Sequence, residues 1–233
     1  MALKLDLHAH TGHSKDSLLP AAELLLAAAS RGISALAVTD HDTLAGALQA
    51  AALAERQPKR FGGIRVIAGS EVMTSEGEII GLYLREDVPR GLTPEETIER
   101  MRAQDAFVLV PHPFDRIRRS RLTVAALHRV AHLVDAIEGL NARTTLGSDN
   151  RAAQRFATER NLLITAGSDA HVAREAGTAY VEIQGALPED ARALSEQLRA
   201  ARLGGGLSAP MVHVYSKLAT WRKKLGIAPA IQL

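Results

Sequence analysis

Nine histidines in 233 residues would mean little if scattered, but most of them fall where a β-like run ends. Asp6-Leu7-His8-Ala9-His10 closes the first such run, Asp40-His41-Asp42 follows the second, and Glu71 lies near the end of the third. His112 stands in Pro111-His112-Pro113, Asn141 follows Glu138-Gly139-Leu140, and Asp169-Ala170-His171 comes after the run Leu162–Ala166. The chemistry these residue types share is cation binding. Histidines two apart on an extended segment point to the same side, so His8 and His10 can grip one ion together. Adding Asp16, His41, Glu71, His112, Asp169 and His171 gives about eight nitrogen and oxygen ligands, where one zinc-like ion takes about four. That number suffices for two or three divalent ions, with Glu71 suited to bridge, and Mn, Zn or Fe would accept such donors.

Something must bring these residues to one place. Short β-like runs alternate with longer Ala/Leu/Arg-rich ones, the pattern of repeated βα units around a parallel sheet or barrel. Expected strands are Leu3–His8, Ile33–Thr39, Arg65–Val72, Ile79–Leu84, Ala106–Val110, Val134–Leu140, Leu162–Ala166 and Thr178–Ile183. Seven or eight strands suit one closed barrel, and the carboxyl ends of its strands form a single ligand-binding rim. The third and fourth runs are separated only by a short segment with Glu76-Gly77-Glu78 and read as an antiparallel hairpin. Pro20 and Gly32 bracket one helix. Thr93-Pro94-Glu95-Glu96 starts another with a capping box. Further helices are expected at about Leu44–Arg56, Arg121–His132, Ser148–Glu159 and Pro188–Arg202. The chain reads as one domain, residues 1–233, with its motifs within 3–183 and a weakly specified tail over 204–233 containing Arg222-Lys223-Lys224.

Composition narrows the field. With 46% hydrophobic and 23% charged residues the chain is a globular one. No apolar stretch approaches the roughly 20 residues of a membrane span, and no secretory leader is legible, so a cytoplasmic location is expected. The absence of cysteine removes disulfides, thiolate nucleophiles and Cys-ligated zinc. A formal charge of +2 and 3% aromatic residues argue against polyanion coating, stacked platforms for single strands and sequence-specific nucleic-acid reading. Other histidines have plainer readings: His128 and His132 suit a solvated helix face, His213 falls in the tail, and His13 lies between His10 and Asp16 without a defined role. Arg116, Arg118, Arg119 and Arg121 form a cluster just after His112, close enough for one of them to reach an anion at the rim.

The ordered pieces Asp6-Leu7-His8-Ala9-His10-Thr11, Ser14-Lys15-Asp16-Ser17, Thr39-Asp40-His41-Asp42, Gly69-Ser70-Glu71, Pro111-His112-Pro113, Glu138-Gly139-Leu140-Asn141 and Gly167-Ser168-Asp169-Ala170-His171 resemble the PHP superfamily, the polymerase and histidinol-phosphatase domain. The resemblance spans roughly residues 3 to 183. It implies a distorted (β/α)7 barrel of the TIM type, two or three divalent ions, and hydrolysis of phosphoesters. Carried over by position, it implies that His8, His10, Glu71 and Asp169 hold one ion, with His112 and His171 on the others and Asp16 and His41 completing the set. Only 40 residues separate Glu71 from His112, so the chain resembles the form without an inserted helical module or an attached polymerase.

The expected activity is that of a metal-dependent phosphoesterase acting on a small phosphorylated metabolite or nucleotide. A hydroxide bridging two ions is the expected nucleophile, since paired ions lower the pKa of a shared water towards about 7. Arg116 beside His112 and Arg143 beside Asn141 are candidates to bind the terminal phosphate. The alternative is a catalytically idle barrel whose metals are structural or whose rim serves a partner. Amide hydrolysis on a related barrel would want a lysine at a strand end, and Lys4 and Lys15 are poorly placed for it.

Overall fold

The computed structural model describes residues 2–208, 218–223 and 225. Its nine strands are β1 (Leu3–Ala9), β2 (Ile33–Val38), β3 (Arg65–Thr74), β4 (Gly77–Leu82), β5 (Phe107–Val110), β6 (Ala136–Asn141), β7 (Leu163–Gly167), β8 (Ala179–Ile183) and β9 (Arg202–Gly205). The helices are α1 (Ala21–Ser30), α2 (Ala45–Arg56), α3 (Pro94–Arg102), α4 (Val124–Val130), α5 (Gly147–Glu159) and α6 (Ala191–Leu198). Thr93 caps α3 reciprocally with Glu96, as the sequence signature required.

The strands follow the order β7-β6-β5-β4-β3-β2-β1-β8-β9. β1, β2 and β3 are parallel neighbours, as are β5, β6 and β7, while β4 runs antiparallel to both β3 and β5. The sheet curls until the chain beyond β7 meets β1. Asp169 N–H donates to His8 O at 2.7 Å and His10 N–H to Ala170 O at 2.9 Å. β8 pairs with β1 only along the first residues of β1, antiparallel, so the barrel is nearly closed rather than continuous. The result is a nearly closed, distorted barrel, as the family resemblance implied.

Alternation along the strands sorts the side chains. Leu5, Leu7, Ala35, Ala37, Ile67, Ile80, Leu82, Phe107 and Leu109 fill the barrel interior, joined by Leu194 and Leu198 of α6. Leu36, Val38, Val108, Val110 and Ile137 point outward beneath the helices. On β1 the register slips between Asp6 and Ala9, where three steps on β1 match two on β2. Such an extra residue swaps the faces of the residues beyond it. Below it Leu5 and Leu7 occupy the interior; above it His8 and His10 do, and Ala9 packs outward.

Two expected helices differ. The helix read as Pro188–Arg202 ends at Leu198, and Arg202–Gly205 forms β9 against β8. Gly204 makes that pairing possible, because a Cβ there would lie 2.3 Å from the Tyr180 ring. Helix α4 is also shorter than its expected Arg121–His132. His213 lies outside the described residues.

Candidate metal centre

The interior columns end in chemistry at the mouth. On β3, Ile67 is followed two and four residues later by Gly69 and Glu71; on reversed β4, Leu82 and Ile80 are preceded by Glu78; on β6, Ala136 is followed by Glu138. His8, His10, Glu71 and Asp169 are fully buried, and His112 and His171 nearly so. Asp16 is the most open of the eight expected ligands, with its side chain 24% exposed, against 6% for His41. All eight meet in one cluster.

The distances define an inner and an outer part. His8 Nε2 and His10 Nε2 are 3.1 Å apart. Glu71 Oε2 lies 3.5 Å from the first and 3.4 Å from the second, and Asp169 Oδ1 lies 3.7 and 3.4 Å away. His112 Nε2 stands 2.9 Å from the other oxygen of Glu71. On the outer side, Asp16 Oδ1 is 3.2 Å from His171 Nε2 and 3.5 Å from His41 Nε2. His41 Nδ1 returns to Glu71 Oε2 at 3.2 Å. Glu71 therefore touches both parts.

Supporting groups fix the imidazoles. His8 Nδ1 meets Glu138 Oε1 at 3.0 Å, and His171 Nδ1 meets the carbonyl of Asp169 at 2.8 Å. His10 Nδ1 meets Ser14 Oγ at 2.9 Å, and that hydroxyl donates onward to Asp40 Oδ1. With Nδ1–H so engaged, all three rings turn the Nε2 lone pair inward, as metal-ligating histidines do. Glu138 Oε2 also accepts from His112 N–H and Asn141 Nδ2. Gly167 must be glycine for this, since a Cβ would sit 2.3 Å from that of His8 and 2.9 Å from Glu138 Oε1. His112 and Asp169 hold φ of 32° and 52°, conformations that non-glycine residues tolerate mostly where function requires them.

The donor set fits divalent cations. Asp16 Oδ1, Glu71 Oε2, Asp169 Oδ1, both Glu78 carboxyl oxygens and His41 Nδ1 are buried without a hydrogen-bond partner, each an expense of about 1–3 kcal/mol unless something binds there. Four combinations each bring their ligand atoms within 4.8 Å of one another: His8/His10/Asp169, His8/Glu71/His112, His10/His41/His171 and His41/Glu71/Glu78. Without a cation, protons do the compensating. Burial opposes charge on His8, but Glu138, Asp169 and Glu71 outweigh it and raise its pKa. His41 behaves likewise, burial being overcome by Glu71 and Asp16, and is pushed up to about 9. Burial and neighbouring His171 depress His10 to about 3, so it stays neutral. Burial works against ionised Glu71 and Asp169, yet His8 and His41 hold Glu71 well below the carboxylate range, and Arg118 and His8 do so for Asp169. A divalent ion would displace those protons.

Glu78 was not among the expected ligands. It is buried 3.6 Å from His41 Nδ1 and 3.8 Å from His112 Nε2, and burial followed by the Glu71 charge raises its pKa. The signal was available: a hairpin reverses β4, so its first residues reach the rim, and Glu78 shares a face with Ile80 and Leu82. Of the arginines, Arg118 reaches the cluster, placing a guanidinium nitrogen 2.5 Å from Asp169 Oδ2. Arg116 turns outward to Asp149 with its side chain 64% exposed, and Arg143 is buried 3.6 Å from Glu175, behind His171. Asn141 bridges Glu138 and Asp169. His13 meets Gln49, His128 meets Arg160, and His132 is exposed.

A nearly closed α/β barrel with this His/carboxylate mouth defines the class, and sequence comparison agrees. Residues 6–135 match the family described as PHP domain, and residues 147–203 the one described as PHP-associated. The chain belongs to the PHP family. An uncharacterised protein of Methanocaldococcus jannaschii is 42% identical over 125 residues, which cover 49% of this chain and 70% of that protein. A 5'-3' exoribonuclease of Haemophilus influenzae is 37% identical over 94 residues, 39% of this chain and 32% of the enzyme. A two-domain protein from Bacteroides vulgatus, whose crystal structure contains a predicted PHP-like metal-dependent phosphoesterase, shares the fold with a TM-score of 0.69 at 18% identity. The match covers 88% of this chain and 65% of that one. Among the described residues, no helix is long and apolar enough to cross a membrane.

Proposed function

We propose that this chain is a metal-dependent phosphoesterase that hydrolyses a small phosphorylated metabolite or nucleotide. The observation that carries the proposal is the convergence of His8, His10, Asp16, His41, Glu71, His112, Asp169 and His171, with buried unpartnered oxygens among them. In this reading His8, His10, Glu71 and Asp169 would hold one ion, Glu71 with His112 and Glu78 a second, and Asp16, His41 and His171 would complete a third. Bound there, divalent ions would supply Lewis acidity towards a phosphoryl group and a water of lowered pKa.

The chain's own groups do the rest. Glu138, Ser14 and the Asp169 carbonyl keep the imidazoles aimed inward. Burial disfavours the Arg118 charge, but Asp169, Glu71 and Glu78 raise its pKa, so the guanidinium stays charged. The N–H groups that its pair with Asp169 leaves over would donate to the oxygens of a phosphoryl group. Asp16 and His41 are the most open of the set, which suits a phosphate at the end of a small molecule.

The test is purified, Mn2+-loaded protein assayed on small phosphomonoesters, nucleotides, phosphodiesters and a short oligoribonucleotide. Metal-dependent phosphate release from a small phosphoester is expected, and no release from any of them would overturn the proposal. Arg118→Met should raise KM by about tenfold, the effect of one charge-assisted contact. Arg116→Met should leave KM unchanged.

A further inference from the structure

The loop between His10 and Asp16 is held from two sides. Inside, Asp40 accepts from Thr11 N–H at 2.7 Å, from Thr11 Oγ1 at 2.6 Å and from Ser14 Oγ at 2.7 Å. Gly46 makes room for that carboxylate, since a Cβ there would lie 1.9 Å from Asp40 Oδ2. Outside, the loop turns the carbonyls of Gly12 and Ser14 towards one ammonium group, that of Lys223, which donates to both. Lys223 comes from the helical residues 218–223, about two hundred positions later, where Ala219 is buried and Trp221 exposed. Burial lowers the pKa of that ammonium, with Asp40 and Asp16 opposing it by attracting its charge. Both matched family patterns end by residue 203, so Lys223 lies beyond them while Gly12 and Ser14 lie within one.

Asp16 is the expected ligand with the greatest exposure, and its place beside His41 and His171 depends on the loop that carries it. An ammonium bridging two carbonyls on the outer face of that loop fixes its curvature. We propose that Lys223 is a positioning residue for Asp16, so that the segment at 218–223 completes the outer metal position. The proposal rests on the reading of the cluster as a divalent-ion centre. It predicts that the outer position is sensitive to the C-terminal segment while the inner one is not.

The experiment is a Mn2+ titration of the 233-residue chain, counting bound ions by electron paramagnetic resonance and following Trp221, its sole tryptophan, by fluorescence. Wild type should fill tight sites first, and filling the weakest should change Trp221 emission. Lys223→Ala and Lys223→Met should weaken that last site by about tenfold, the size expected for loss of a charge-assisted hydrogen bond, and leave the tighter sites unchanged. Lys223→Arg should restore it. Unchanged affinities in Lys223→Ala would overturn the proposal while leaving the phosphoesterase reading intact. Loss of all sites together would also overturn it, by placing Lys223 in general folding. A wild type that binds no Mn2+ would overturn both.

Discussion

The inner and outer parts of the metal cluster are built differently. On the inner side His8, His10, Glu71 and Asp169 are fully buried, and neighbours hold three of them in place: Glu138 behind His8, Ser14 behind His10, Arg118 and Asn141 on Asp169. On the outer side Asp16 rides on a loop, and both ring nitrogens of His41 face carboxylates of the cluster itself, leaving none for a supporting residue. Rigidity is supplied where strands end, and adjustability where a loop leaves. The difference implies that ions bound there would have unequal affinities, tighter at the inner position than at the outer one.

Substitutions can break or sharpen that contrast. The largest effect is expected at Glu71, which serves both parts. Glu71→Gln should remove bound metal from both and lower turnover on the order of 10³-fold or more, given the several kcal/mol that metal ions supply. Elemental analysis beside an activity assay checks it, and a variant retaining its full ion content would show that Glu71 does not bridge. Glu138→Gln keeps every proposed ligand but turns an amide towards three donors. Supporting residues of this kind are worth about 10–100-fold in metal affinity, and the loss should fall on the inner sites in a competition titration. The smallest effect is expected from Asp16→Asn, about tenfold at the weakest site alone, with the melting temperature of the ion-loaded protein nearly unchanged. Equal losses at every site would erase the distinction between the two parts.

The barrel and most of its mouth were legible because local signals agreed with one another. Strand ends carried His and acid, the hairpin announced itself by a short Gly-containing turn, and the capping box at Thr93 fixed the start of α3. Three features were not legible, each for a physical reason. Strand β9 depends on glycines that let the backbone pass close to Tyr180, a tertiary fit that no propensity encodes. Arg118 and Arg116 differ only in which way a loop turns, and that turn is set by Asp115 and Asp149, which accept from backbone N–H groups of the loop. The bulge in β1 is visible only in pairing with β2; two-residue spacing places His8 and His10 together, but not on the interior face that Leu5 and Leu7 occupy lower down.

The seam between β1 and the chain beyond β7 has a practical consequence. The peptide groups that zip the cylinder shut belong to His8, His10, Asp169 and Ala170, so the residues that would grip ions and the stitches that close the wall are the same short stretches of backbone. Stripping the protein with a chelator during purification would then slacken the wall along with emptying the mouth. Material prepared that way would be judged fragile when it is merely missing its ions, and resupplying Mn2+ before heating is the simple way to tell the two apart.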